Sequence, residues 1–137
     1  MKVQLNPYLT FAGNAREALN FYQECFGGEL HIMEVRDVPE NEQCPGGQAN
    51  EVMHGTLSNG TFLLMASDML NGQPLSPGND ITLSLNFTAE EDIRNTYAKL
   101  SEGGRVIDEL KVQFWGALFA VVQDKFGKVW MLNCEQQ

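Results

Sequence analysis

Positive charge is scarce in this chain. Its 137 residues include 9 Lys and Arg against 18 Asp and Glu, giving a formal net charge of −9 at pH 7 and a sequence pI near 4.5. No stripe of basic residues is present that would follow a phosphate backbone, so the composition excludes nucleic acid as a partner. We interpret the acidity as a feature of solubility.

Long hydrophobic runs and clustered cysteines are also missing. No apolar stretch reaches the roughly 18 residues of a membrane helix, and the first residues show no signal-peptide pattern. The three cysteines, Cys25, Cys44 and Cys134, lie far apart and form no C-x-x-C pair, so zinc or dithiol chemistry has no local support. These absences predict a cytoplasmic protein without a membrane partner.

One pattern is present twice. Residues 6–13 alternate apolar and polar side chains as a strand does and lead into an amphipathic helix, and residues 81–88 begin a second copy. Gly-Gly pairs at 27–28 and 103–104 end the two helices, and three further strands follow each pair. The strands outnumber the helices too strongly for a parallel sheet of βαβ units.

We therefore predict an α+β fold of two βαβββ modules, with curved mixed sheets around a shared cavity and the helices on the outer faces. Residues 1–137 form one domain, with module one at about 1–70, a linker at 71–79 and module two at about 80–137. Two capping boxes are predicted, Asn14 with Glu17 and Thr88 with Glu91. The predicted strands span 3–11, 29–38, 52–57, 61–66, 81–88, 105–114, 117–123 and 128–134, with a loop at 39–50.

Two residues are candidates for catalysis. His54, one of only two histidines, lies on a predicted strand and is either a general base or ligand donor, or a hydrogen-bonded sheet histidine. Asp68 ends the fourth strand and either pairs with His54 or caps a turn. The other histidine, His31, is predicted to lie at the surface.

Three aromatic residues are candidates for ligand binding. The hydroxyl of Tyr8 either reaches the cavity or packs towards a helix. Phe114 and Trp115, which precede a glycine between two strands, either stack on a flat ligand or pack in the core or a dimer contact.

Several segments resemble the vicinal-oxygen-chelate superfamily (glyoxalase, bleomycin resistance, dioxygenase), and its PhnB-like branch most. They are N-P-Y-L-T-F-A-G-N-A from Asn6, N-F-Y-x-x-x-F-G-G from Asn20 and D-K-F-G-K-V-W-M-L-N from Asp124. The resemblance implies paired βαβββ modules, a homodimer and a small-molecule ligand. In members that use a metal, it implies a divalent ion held by side chains from four strands.

Three of the four positions implied for those metal ligands hold residues that bind hard or borderline divalent ions poorly. They fall at Asn6 or Pro7, near Leu64 or Met65, at Asp80 and at Met131. Proline has no donor and thioethers are too soft for hard or borderline divalent ions. We expect no cofactor and assign no metal ligand, with a divalent ion on a rearranged donor set as the alternative.

Two functions remain open at this point. The first is a small-molecule-binding protein of the glyoxalase and bleomycin-resistance type without the usual metal site. The second is a metal-dependent lyase, isomerase or dioxygenase that uses a rearranged site around His54. Methyl transfer, a label attached to the branch, lacks support because no Gly-rich loop for a nucleotide-like cofactor follows a strand.

Overall fold

The structure is a computed structural model that describes residues 1–42, 48–70 and 72–136. Its elements follow the predicted order βαβββ twice, which confirms the α+β fold of two similar modules. The predicted loop at 39–50 includes residues 43–47, which lie outside the described residues. The strands and α-helices are β1 (Tyr8–Thr10), α1 (Ala15–Phe26), β2 (Glu29–Glu34), β3 (Val52–Ser58), β4 (Leu63–Ser67), β5 (Leu83–Phe87), α2 (Glu90–Leu100), β6 (Arg105–Val112), β7 (Ala117–Gln123) and β8 (Val129–Glu135). Two short 3-10 helices, Val35–Asp37 and Glu40–Glu42, follow β2, so the strand predicted at 29–38 ends at Glu34.

The chain divides into two compact units, unit one (Met1–Ser76) and unit two (Pro77–Gln137). Unit one holds a four-stranded sheet in the order β1-β4-β3-β2, and unit two holds another in the equivalent order β5-β8-β7-β6. In each sheet the first strand pairs in parallel with the last, and the other neighbours are antiparallel. Both sheets are therefore mixed and open.

The Gly-Gly pairs have the same geometry in both units. Gly27 and Gly103 have φ of 73° and 74°, a left-handed conformation that favours glycine after a helix. A Cβ on Gly28 would collide with the carbonyl oxygen of Ser58, and one on Gly104 would collide with that of Gln123. The second glycine of each pair thus lets the chain after the helix pass close to the backbone of β3 in unit one and of β7 in unit two.

One helix covers one face of each sheet. In unit one, α1 contacts β2, β3 and β4, and a Cβ on Gly55 would collide with Leu19 of that helix. Gly55 therefore faces α1, and its neighbours His54 and Thr56 face the opposite side, since side chains alternate along a strand. We call that opposite side the open face.

Unit two has the same division. Helix α2 contacts β5, β7 and β8. The buried side chains of the last two strands lie on the helix side: Leu118, Ala120, Val122, Trp130, Leu132 and Cys134. The residues between them point to the open face of this sheet, among them Phe119, Val121, Met131 and Asn133.

The ends of several elements differ from the prediction. The strand predicted at 3–11 is only Tyr8–Thr10, which pairs in parallel with Met65 to Ser67 of β4. Neither predicted capping box forms. The Asn14 side chain makes no cap hydrogen bond, and the second helix begins after Ala89 rather than Thr88.

No helix in the described ranges has the length and apolar character to cross a membrane.

Candidate functional site

The open face of unit one carries a block of polar and thioether side chains. The register places Tyr8 opposite Met65, Met65 opposite Thr56, and Met33 opposite His54. Directly opposed residues on one face have Cβ atoms about 4.5–5.5 Å apart. These residues, drawn from all four strands, thus form one continuous surface that α1 does not cover.

Tyr8 and His54 meet on this surface. The Tyr8 hydroxyl lies 3.3 Å from Nδ1 of His54, and their ring centroids are 5.7 Å apart. Tyr8 is 48% exposed and His54 half-buried, so solvent reaches the pair. In the described part of the chain, the His54 ring makes its hydrogen bond through Nδ1 alone, which leaves Nε2 to meet a ligand.

Asp68 is engaged with the backbone. One carboxylate oxygen accepts hydrogen bonds from the N–H groups of Gly13 and Ala15, each 2.9 Å long, and the other accepts one of 3.0 Å from Val52. The side chain is 6% exposed. Ala15 is the first residue of α1, so Asp68 supplies from the end of β4 the helix cap that Asn14 does not.

His54 forms no hydrogen bond with Asp68 among the described residues. Its side chain points to the open face, whereas the Asp68 carboxylate meets the start of α1 and the start of β3. Asp68 therefore holds the start of β3, the strand that carries His54. Sequence patterns do not reveal such a cap, because it joins residues 53 positions apart.

In unit two, the predicted aromatic pair belongs to a cluster of three rings. Phe114 and Trp115 meet edge to face at a centroid distance of 5.0 Å, and Trp115 meets Phe119 in the same way at 5.5 Å. Phe114 is 96% exposed and Trp115 52%. Phe119 links the two exposed rings to the open face of the sheet.

Two asparagines that we did not predict lie beside this cluster. Asn133 is directly opposite Asn86 on one side and Phe119 on the other. The Asn133 amide donates a hydrogen bond of 3.4 Å to the Asn86 amide oxygen. A shallow pocket of about 290 Å³ is lined here by Asn86, Phe87, Thr88, Asn133 and Glu135. The alternation of β5 is the signal that would have marked Asn86 as outward-facing.

Asp124 accepts hydrogen bonds from the turn between β7 and β8 and from a buried side chain. One oxygen accepts hydrogen bonds from the backbone of Phe126 and Lys128, and the other accepts one of 2.8 Å from the Trp130 indole. Burial lowers the pKa of the Lys128 amine, and the nearby Asp124 carboxylate partly opposes that shift. These contacts give Asp124 and Trp130 structural roles.

Both arginines of unit one form ion pairs with a glutamate. Arg16 on α1 and Arg36 after β2 both form ion pairs with Glu34, the latter at 3.1 Å. In unit two, Arg105 donates a hydrogen bond to Gln123. His31 is 76% exposed, as predicted for a surface histidine.

At three of the four implied metal positions, the residues do not fit a hard or borderline divalent ion. Met65 lies opposite Tyr8, and Met131 occupies the equivalent place opposite Ser84. Asp80 is exposed and precedes β5. Thioethers are too soft to be good ligands for Mg²⁺, Mn²⁺ or Zn²⁺. The described ranges also contain no group of three or more His, Cys, Asp or Glu residues placed to hold a metal.

A family model matches most of the chain, and several known proteins resemble it over nearly their full length. Residues 4–132 match the Glyoxalase/Bleomycin resistance protein/Dioxygenase superfamily. Protein YjdN of Escherichia coli K12 is 30% identical, with 97% of this chain and 96% of that protein covered. Protein PA1353 of Pseudomonas aeruginosa superimposes with a TM-score of 0.88 at 37% identity, covering 99% and 100% of the two chains. The PhnB protein of Bacillus cereus superimposes with a TM-score of 0.75 at 25% identity, covering 96% and 99%.

Proposed function

We propose that this chain, which belongs to the Glyoxalase/Bleomycin resistance protein/Dioxygenase superfamily, binds a small organic molecule without a divalent metal ion. The observation that carries the proposal is the Tyr8–His54 pair on the open face of unit one. It offers a hydroxyl and a ring nitrogen to a ligand oxygen at a place that solvent reaches. The donor set at the implied metal positions supports a metal-free site.

The candidate residues take different roles in this proposal. His54 and Tyr8 contact the ligand through hydrogen bonds, while Met65 supplies apolar, polarisable surface next to Tyr8. Asp68 is a positioning residue, since its carboxylate holds the start of β3 through Val52. Phe114 and Trp115 offer exposed ring surface for stacking in unit two.

A screen of small organic compounds and divalent ions, read by thermal shift and ligand-observed NMR, tests the proposal. We expect organic compounds to raise the melting temperature, since a ligand that binds only the folded state stabilises it. The variants His54→Gln and Tyr8→Phe should each weaken a compound that binds here by roughly three- to tenfold, the effect of losing one hydrogen bond.

Tyr97→Phe is the matched control, because it removes a phenol hydroxyl from α2 in unit two, which is not part of the open face of unit one. It should leave binding unchanged. If no organic compound binds while Zn²⁺, Ni²⁺ or Mn²⁺ stabilises the protein at a stoichiometric ratio, the metal-dependent alternative replaces this proposal.

We also propose a homodimer in the cytoplasm. Large apolar side chains are exposed in both units, including Val3 at 75% and Leu5 at 97% in unit one and Val112 at 58% in unit two. Exposed apolar side chains are a common feature of protein–protein contact sites. Sedimentation equilibrium should give twice the mass of 15.3 kDa, and a monomer at micromolar concentration would contradict the dimer.

A further inference from the structure

The Asn86–Asn133 contact in unit two is a loose one. Its donor–acceptor distance of 3.4 Å exceeds the usual 2.7–3.2 Å for an N–H···O bond. Each side-chain amide carries two donor hydrogens and an acceptor oxygen, so most of their capacity is left for another partner. Asn86 is exposed and Asn133 half-buried, which leaves both amides open to a ligand.

Asn133 lies between the pocket and an aromatic ring. The pocket of about 290 Å³ holds the amide edge between β5 and β8, and the Phe119 ring lies outside this pocket, on the other side of Asn133. Phe119 lies directly opposite Asn133, and Trp115 meets Phe119 edge to face at 5.5 Å. A ligand that hydrogen-bonds to the amides would therefore extend over an aromatic surface.

The charges around the pocket disfavour an anion at the amides. Glu135 lines the pocket, and no basic residue does. Lys111 lies opposite Phe119, on the far side of that ring from Asn133. A carboxylate placed between the asparagines would meet the Glu135 charge, whereas a neutral group would not.

We infer that unit two has a binding site of its own for a small neutral molecule with a planar carboxamide or lactam edge on a ring. The edge would pair its N–H and C=O with Asn86 and Asn133, and two bonds of normal length would replace the long amide–amide contact. The ring would lie against Phe119 and Trp115. The inference rests on the stacking role proposed for Trp115 and is independent of His54.

Nicotinamide and nicotinate form a matched pair of probes, because they share a ring and differ in the neutral amide against the carboxylate. In ¹H–¹⁵N NMR titrations of the whole protein, nicotinamide should shift the side-chain amide signals of Asn86 and Asn133 and the Trp115 indole signal. Nicotinate should bind at least tenfold more weakly.

The variants Asn133→Asp and Asn86→Asp keep the side-chain shape but replace donors with a charged acceptor. Each should weaken nicotinamide at least tenfold, while Asn95→Asp on the exposed side of α2 should not. Asn133→Leu removes the amide without adding charge and should also lose binding, with its fold checked by the buried Trp130 indole signal.

Several results would overturn the inference. They are equal binding of nicotinate and nicotinamide, unchanged binding in both Asn133 variants, or no response of the Asn86 and Asn133 signals at millimolar nicotinamide. If instead His54→Gln abolishes compound binding and the Asn133 variants do not, the proposed function of unit one stands and this site fails.

Discussion

At the scale of single residues, Asp68 shows how a functional candidate becomes a structural one. The sequence places an acid at the end of a strand near a histidine, and both a catalytic and a capping role fit that pattern. The structure gives its carboxylate three backbone donors, from Gly13, Ala15 and Val52. A buried carboxylate bonded in this way has no oxygen turned towards His54.

We predict that Asp68→Asn destabilises the protein by about 2–4 kcal/mol, because it removes a charge from three hydrogen bonds and turns an N–H donor towards backbone N–H groups. Urea denaturation measures the free energy of unfolding directly. Asp80→Asn, at an exposed position, should change it by less than about 0.5 kcal/mol. A value for Asp68→Asn within that same limit would contradict the assigned role.

Residue contacts were the part of the site least accessible from the sequence. The sequence indicates His54 and Tyr8 as separate candidates, but nothing in it shows that residues 46 apart share a hydrogen bond. The Asn86–Asn133 contact spans 47 residues and was missed. Such pairs depend on the register between strands. Alternation in the sequence predicts which face of the sheet a side chain occupies, but not which residue of the neighbouring strand lies opposite it.

At the scale of elements, alternation and glycine positions predicted the order of strands and helices, and they placed β7 at its observed limits. The ends of other elements were less predictable, because pairing length depends on the neighbouring strand. Residues 3–7 continue the alternating pattern of β1, yet β1 begins only after Pro7, although β4 extends back to Leu63. Proline has no N–H to donate to the sheet. The helix start at Ala15 depends on Asp68, which is distant in sequence.

The contact between α1 and β3 gives a prediction about packing. Gly55→Ala should cost about 1–3 kcal/mol, because its methyl group would enter the space of the fully buried Leu19. Leu19→Ala should cost about 2–5 kcal/mol on its own. The double variant should cost less than the sum, since the vacated space accepts the new methyl group.

Gly60→Ala is the control for that double-mutant cycle. Its Cβ would meet no atom within 4 Å, and its φ of 93° adds backbone strain only. Its effect should add to that of Leu19→Ala within about 0.5 kcal/mol. Strict additivity for Gly55 as well would show that Leu19 and Gly55 are not in contact.

At the scale of the whole molecule, the duplication and the charge were both readable from the sequence. The repeated βαβββ order defines two units of the same strand order, and the charge of −9 is spread over a chain with few basic residues. A large net charge destabilises the compact state through self-repulsion. The same charge gives the protein no attraction for polyanions.

We therefore predict that stability rises with salt. Between 0.05 and 0.5 M NaCl, the free energy of unfolding should increase by about 1 kcal/mol, because shorter screening lengths reduce repulsion among the carboxylates. Replacing the exposed Asp80 and Glu102 by their amides should reduce this dependence. A stability that falls with added NaCl would mean that favourable ion pairs, such as Arg94–Glu90, outweigh the repulsion.

The shared register of the two sheets has a consequence for protein engineering. Ser84 stands opposite Met131 as Tyr8 stands opposite Met65, and Phe119 has the place on β7 that His54 has on β3. These outward positions lie on the side of each sheet away from its helix. Ser84→Tyr with Phe119→His would therefore transplant the tyrosine–histidine pair into unit two, which makes the duplicated framework a template for exchanging recognition surfaces between its halves.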